Sequence, residues 1–243
     1  MTVIVRYSMV GRHNVMKKLL MMALVFALSG TLFAGDIATF VNMGFSDDSR
    51  ILMFGQYGIE QETARPYAEM YVVDVPENRF VADGVRRTTF DAAVTPGQDG
   101  SGALLRLLSE NAALVERWGI DPLNQGRLVY FLLNGSEPKP EISFRDFSDG
   151  TRYNVRMHQR RRGEGPTAEA AFHLELTVTP VSGAPRNFTV GLPNFFREGV
   201  SWYQINQAFL SPDERSLIFV VERISDTSAG RSVRYMVETV RFR

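Results

Sequence analysis

One figure occurs twice, near opposite ends of the chain: Ser, any residue, Asp, any residue, Arg, then an apolar run centred on Phe. The two copies are GFSDDSRILMFGQYG at 44–58 and FLSPDERSLIFVVER at 209–223. Aligned, they pair Ser46 with Ser211, Asp48 with Asp213, Arg50 with Arg215, Leu52 with Leu217 and Phe54 with Phe219. Short Ser and Asp side chains bind nearby backbone groups in tight turns, and Pro212 presets the backbone angle of a type I turn. The residues after each turn are apolar at successive positions, as in a strand covered on both faces. The repeat therefore predicts two copies of one hairpin. Asp48 and Asp213 are expected to form turns rather than act as catalytic acids, and Phe54 and Phe219 to fill apolar layers.

Runs rich in Val, Ile, Phe and Tyr, separated by turn residues, continue through most of the chain. Strands are expected at 38–45, 50–57, 70–75, 79–81, 127–133, 141–147, 152–161, 170–179, 187–192, 201–210, 216–224 and 231–242. Ser148-Asp149-Gly150 suits a hairpin turn. One segment breaks the pattern. From Ser101 to Gly119, Leu104, Leu107, Leu108, Leu114, Val115 and Trp118 recur at helical spacing. A single central helix is expected, capped by Ser101, ended by Gly119 and blocked from continuing by Pro122. The Gly-rich approach at 97–102 has no Lys and reads as a linker rather than a phosphate loop.

Each copy of the repeat is followed by a polar loop and a further strand, Tyr71-Val72-Val73-Asp74-Val75 in one case and 235–240 in the other. The unit of strand, Ser-Asp turn, strand, loop and strand resembles a blade of the periplasmic β-propellers of the Tol system and of related peptidase propellers. Their repeats carry Phe-Ser-Pro-Asp-Gly ahead of an apolar strand. Leu210-Ser211-Pro212-Asp213-Glu214 departs by Leu for Phe and Glu for Gly, and Phe45-Ser46-Asp47-Asp48-Ser49 lacks both Pro and Gly. Two copies do not make a propeller, which has four to eight blades. The expected fold is mainly β: antiparallel sheets, blade-like repeats near both ends and one central helix, with a β-sandwich as the alternative. The chain also resembles a family of uncharacterised bacterial predicted secreted proteins. The residues that carry this likeness are GDIATF at 35–40, FGQYG at 54–58, PYAEMY at 66–71 and RYMVET at 234–239. That resemblance implies export and supplies no catalytic residue.

The N-terminus points the same way. Met16-Lys17-Lys18 precedes the apolar run Leu19 to Leu28, and Ala34 is a small residue ahead of Gly35. This is the build of a signal peptide over residues 1–34, too short for a comfortable membrane span. The fifteen residues before Met16 are superfluous to it, so Met16 is an alternative start. Residues 35–243 are then one β-rich domain, periplasmic or extracellular, with no membrane span. Cleavage leaves 23 basic against 27 acidic residues. That balance argues against a broad phosphate-neutralising surface and hence against nucleic acid. The absence of cysteine excludes disulfides, thiolate chemistry, Cys-ligated metals and lipid attachment at cysteine.

No catalytic, cofactor-binding or metal-ligating set is nominated. Gly-x-Ser-x-Gly, His-x-x-x-His and EF-hand loops are missing. His158 and His173 read as ordinary strand histidines. One constellation suits a ligand: Phe195, Phe196 and Arg197, followed by Trp202, Tyr203 and Gln204. Aromatic rings beside amide and Arg donors stack on sugars or grip peptides. The same aromatics also suit core packing. The sequence thus describes an exported, non-enzymatic interaction or scaffold module whose partner is an envelope protein, peptide or glycan. The alternative is a cell-wall or glycan-binding protein, or a hydrolase with scattered carboxylates.

Overall fold

The computed structural model describes residues 35–95, 97–133, 139–227 and 230–242; the signal segment expected at 1–34 lies outside them. Fourteen strands and two helices occur among the described residues, and all strand pairings within the sheets are antiparallel. The first sheet contains β1 (Thr39–Ser46), β2 (Ile51–Ile59), β3 (Pro66–Asp74), β4 (Arg79–Thr89) and β5 (Ile120–Asp121), in the order β4-β3-β2-β1-β5. A middle sheet contains β6 (Arg127–Phe131), β12 (Trp202–Leu210), β13 (Ser216–Thr227) and β14 (Gly230–Arg241), ordered β14-β13-β12-β6. An outer sheet contains β7 (Glu141–Arg145), β8 (Arg152–Arg162), β9 (Glu169–Thr179) and β10 (Arg186–Gly191), ordered β10-β9-β8-β7, with β11 (Arg197–Glu198) also on β9.

Three apolar clusters fix how these sheets stack. Phe45, Leu52, Phe54 and Val73 of the first sheet meet Phe209, Ile218, Val220 and Val237 of the middle sheet. On its other face the middle sheet sends Tyr203, Ala208, Leu217, Phe219 and Val221 against Tyr153, Val155, Phe172, Leu174 and Leu176 of the outer sheet. The far face of the first sheet, with Met43, Met53, Met70 and Val72, is covered by helices α1 (Ser101–Glu110) and α2 (Ala112–Arg117). The layers thus run helices, first sheet, middle sheet, outer sheet. The row ends on helices at one side and on a polar sheet face at the other, so it does not close into a propeller ring. It has one sheet more than a two-sheet sandwich.

The two copies of the repeat occupy matching positions in adjacent sheets. Leu52 and Phe54 point from the first sheet to the middle one; Leu217 and Phe219 point from the middle sheet to the outer one. Their turns share one hydrogen-bond pattern. The Ser46 hydroxyl donates to Asp48 Oδ1 at 2.6 Å and accepts from Ile51 N at 3.0 Å. The Ser211 hydroxyl donates to Asp213 Oδ1 at 2.6 Å and accepts from Ser216 N at 2.9 Å. Ser49 and Glu214 adopt left-handed φ values of 57° and 55°. This is where the blade motif carries Gly, the residue that reaches this region without strain. In the third strands, pairing to the repeated Phe makes Tyr71 equivalent to Glu238, with Tyr235 three residues earlier.

The Asp48 carboxyl is held below the usual range, chiefly by the Ser46 hydroxyl. At Asp213 burial pushes upward, but bonds from Ser211, Arg215 N and Arg241 outweigh it and the net shift is downward. Asp213 also makes an ion pair, with Arg241 Nη2 at 3.0 Å, where Asp48 has only the nearby charge of Arg50. The two turns are therefore not energetically alike, as the sequence repeat had suggested. Asp48→Ala and Asp213→Ala are expected to cost about 0.5–2 kcal/mol each, Asp213→Ala the more. Because both folded pKa values are depressed, this stabilisation is present above the unfolded value and is lost as pH falls from about 4. Urea melts across pH 2–7 check it: an Asp48→Asn/Asp213→Asn variant with an acid limb as steep as wild type would count against it.

The helical stripe packs as its spacing predicts, but it breaks at Asn111, giving two helices. The Asn111 side chain donates to Leu107 O at 2.8 Å and accepts from Arg86 Nε at 3.1 Å, so it terminates α1 and ties it to β4. The N-cap is Gly100 rather than Ser101, and Asp99 accepts from both Ser101 N and its hydroxyl. Gly55 lets α1 lie close: a Cβ there would meet Leu104 Cδ1 at 2.8 Å. The short strand expected at 79–81 extends to Thr89, because β3 offers it partners as far as Tyr67. After the second copy, β13 runs on to Thr227 and β14 begins at Gly230, and the two strands pair to those ends.

Candidate functional site on the outer sheet

Strand alternation divides the outer sheet cleanly. Tyr153, Val155 and Met157 of β8 and Phe172, Leu174 and Leu176 of β9 are buried against the middle sheet. Asn154, Arg156, His158 and Arg160, with His173, Glu175 and Thr177, take the opposite face, which no layer of described residues covers. Register then brings together residues distant in sequence. His158 pairs directly with His173, and their rings stack 4.8 Å apart with planes 10° from parallel. Glu175, two residues beyond His173, shares its face. His158 Nε2 stands 2.9 Å from Glu175 Oε2, out of line for a hydrogen bond and shielded from solvent. The Glu175 carboxyl is held below the usual range, first by the His158 ring beside it. Ligand atoms of the three residues all lie within 4.8 Å of one another.

The neighbours leave this group accessible. Across from His173 on β10 is Gly191, which presents no side chain. Arg156 is drawn away to Glu141 at 2.8 Å. Arg160 is drawn to Asn194 Oδ1 at 2.6 Å. Sequence inspection placed His173 on the polar side of its strand but did not join it to His158. His173-Leu174-Glu175 is a same-face pair on one strand; the third member depends on the β8–β9 register.

The six residues nominated as a ligand site separate into three places. Phe196 lies under the guanidinium groups of Arg162, at 4.1 Å, and Arg160, at 5.4 Å, beside Asn194. Arg197 turns inward, over the rings of Phe172 and Tyr203, with the exposed Phe195 ring 5.0 Å from its guanidinium. Tyr203 is core: its side chain is buried and its hydroxyl donates to Ala170 O at 3.2 Å. Trp202 and Gln204 flank Tyr203 in β12 and so take the other face of the middle sheet, Trp202 carrying Arg231 at 5.6 Å. Large aromatics spaced along a strand alternate between layers, which is why their proximity in sequence does not make one pocket.

Two carboxyls are pushed up by burial, the half-buried Glu222 and the buried Glu238. Glu238 accepts from Asn78 Nδ2 at 2.6 Å, and Glu222 accepts from Asn206 Nδ2 at 2.7 Å. Glu238 is paired opposite Phe219, which faces the outer sheet; Glu222 shares the face of Val220, which meets the first sheet. They lie on opposite sides of the middle sheet and do not form a paired-carboxylate centre.

Among the described residues no helix is long and apolar enough to cross a membrane. A family model described as "Predicted secreted protein (DUF2259)" matches residues 53–241. No curated protein matches the chain, and no solved structure does.

Proposed function

We propose, from the premise that the chain belongs to the DUF2259 family of predicted secreted proteins, that it is a non-catalytic interaction module of the cell envelope. In this reading it is exported behind a leader ending at Ala34. It receives an acidic segment of an envelope protein on the open face of its outer sheet. The observation that carries this is placement. The first sheet is covered by helices and by the middle sheet, and the middle sheet is enclosed on both faces. Among the described residues, the outer sheet alone turns a broad face to solvent.

That face is locally basic in a chain whose mature part is acidic. Arg145, Arg152, Arg156, Arg160 and Arg162 share it with Glu141, Glu169 and Glu175. Guanidinium groups recognise carboxylates in a planar, bidentate fashion, and opposed potentials steer association. Phe196 and Asn194 add a ring and an amide at one end. The test is site-specific photocrosslinking in the native host, with the probe at Thr177 on this face or at Leu105 on the helical side. Crosslinking to an envelope protein from position 177, reduced in Arg152→Glu/Arg156→Glu, is expected. Crosslinks only from position 105, or only to glycan, would overturn the reading.

A further inference from the structure

We propose that His158, His173 and Glu175 form a binding site for a zinc-type divalent transition metal on the outer face of the outer sheet. Two imidazoles and one carboxylate are a donor set that zinc accepts, leaving a fourth position for water or a partner group. Imidazole nitrogen favours zinc, copper and nickel over calcium or magnesium. The backbone builds the set without a loop: the β8–β9 register makes His158 and His173 direct neighbours, and strand periodicity puts Glu175 beside them. Rigid elements hold ligands more precisely than loops do.

The donor atoms lie within 4.8 Å of one another, with His158 Nε2 2.9 Å from Glu175 Oε2, against the about 3.3 Å edge of a tetrahedral zinc site. Matching that edge takes side-chain rotation. His158 and Glu175 have side chains 39% and 56% exposed, so neither is wedged by packing. The rotation would also give the shielded Nε2 of His158, which lacks an aligned partner, a ligand to bind. Arg156 is paired with Glu141 and Arg160 is held by Asn194, so neither guanidinium occupies the site. This site does not rest on the envelope-partner reading: it uses the protein's own ligands and needs no partner to form.

The experiment is a calorimetric titration of zinc chloride into the untagged, EDTA-stripped protein near neutral pH. A parallel cobalt(II) titration is followed by visible absorption. One ion per chain is expected, with the d–d bands of a four- or five-coordinate cobalt. Affinity should fall about 10-fold or more in His158→Ala and in His173→Ala, and also in Glu175→Gln. His158→Gln and His173→Asn, which keep a polar side chain on the exposed face, serve where an alanine variant loses its native circular dichroism. No zinc binding by the wild-type protein would overturn the proposal. So would unchanged affinity in natively folded variants lacking both histidines. Loss of photocrosslinking with zinc binding intact would sink only the partner reading.

Discussion

Phe219→Ala is expected to lower the unfolding free energy by about 3–5 kcal/mol, the cost of deleting a fully buried aromatic ring and leaving most of its cavity. Phe219 has no exposed surface and sits on β13, flanked by β12 and β14 in the enclosed middle sheet. Its cross-strand neighbours are Ala208 and Glu238, neither of which can swing a large apolar side chain into the void. Phe54→Ala should fall in the same range. Phe54 is equally buried and stacks on Tyr71 at 4.8 Å and on Phe40 at 5.6 Å. Urea melts by circular dichroism measure both, as a shift of midpoint at constant slope. A loss under about 1 kcal/mol at either position would defeat the view that the repeat's Phe fills an interlayer space.

The second large effect is expected at Arg234. Its Nη2 lies 2.5 Å from Asp36 Oδ2, its guanidinium rests 4.2 Å from the Tyr67 ring centroid, and Tyr67 donates to Asp36 Oδ1 at 3.0 Å. This group pins the first described residues across two sheets. Val233 N donates to Asp36 O at 2.8 Å, and Ala38 N donates to Val233 O at 3.1 Å, around a parallel bridge between Ile37 and Val233. The side chains of Arg234 and Asp36 are only 18% and 12% exposed. Arg234→Met would therefore leave a poorly solvated carboxylate without its cation, at a cost of roughly 3 kcal/mol. Asp36→Asn combined with Arg234→Met should cost less than the two single changes added together, because the pair no longer contains an orphan. Denaturant melts of the double-mutant cycle decide it, and strict additivity would refute the clamp.

Much of the architecture was legible locally. Period-two alternation and turn chemistry located most strands to within a few residues, and the Ser-Asp figure located its two turns. The helical stripe named the residues that cover the first sheet. The short β5 and β11 were not legible, since Ile120–Asp121 and Arg197–Glu198 are strands only because β1 and β9 offer them edges. The break at Asn111 depended on a side chain that also binds Arg86. The aromatic cluster from Phe195 to Gln204 misled for a related reason. A strand apolar on both faces does not disclose which layer receives each ring.

By itself the sequence determined a mainly β chain with a repeated hairpin, an apolar leader-like segment and His173 opposite the apolar residues of its strand. These follow from interactions within a few residues, namely turn hydrogen bonds, backbone preference and side-chain alternation. Only the tertiary structure decided that the two repeat sheets are neighbours, that a third sheet completes the row, and that the row stays open. The tertiary structure alone also set His158 against His173. Those facts depend on strand register and on which buried faces exclude water together. Both are settled by contacts between segments that the chain keeps far apart.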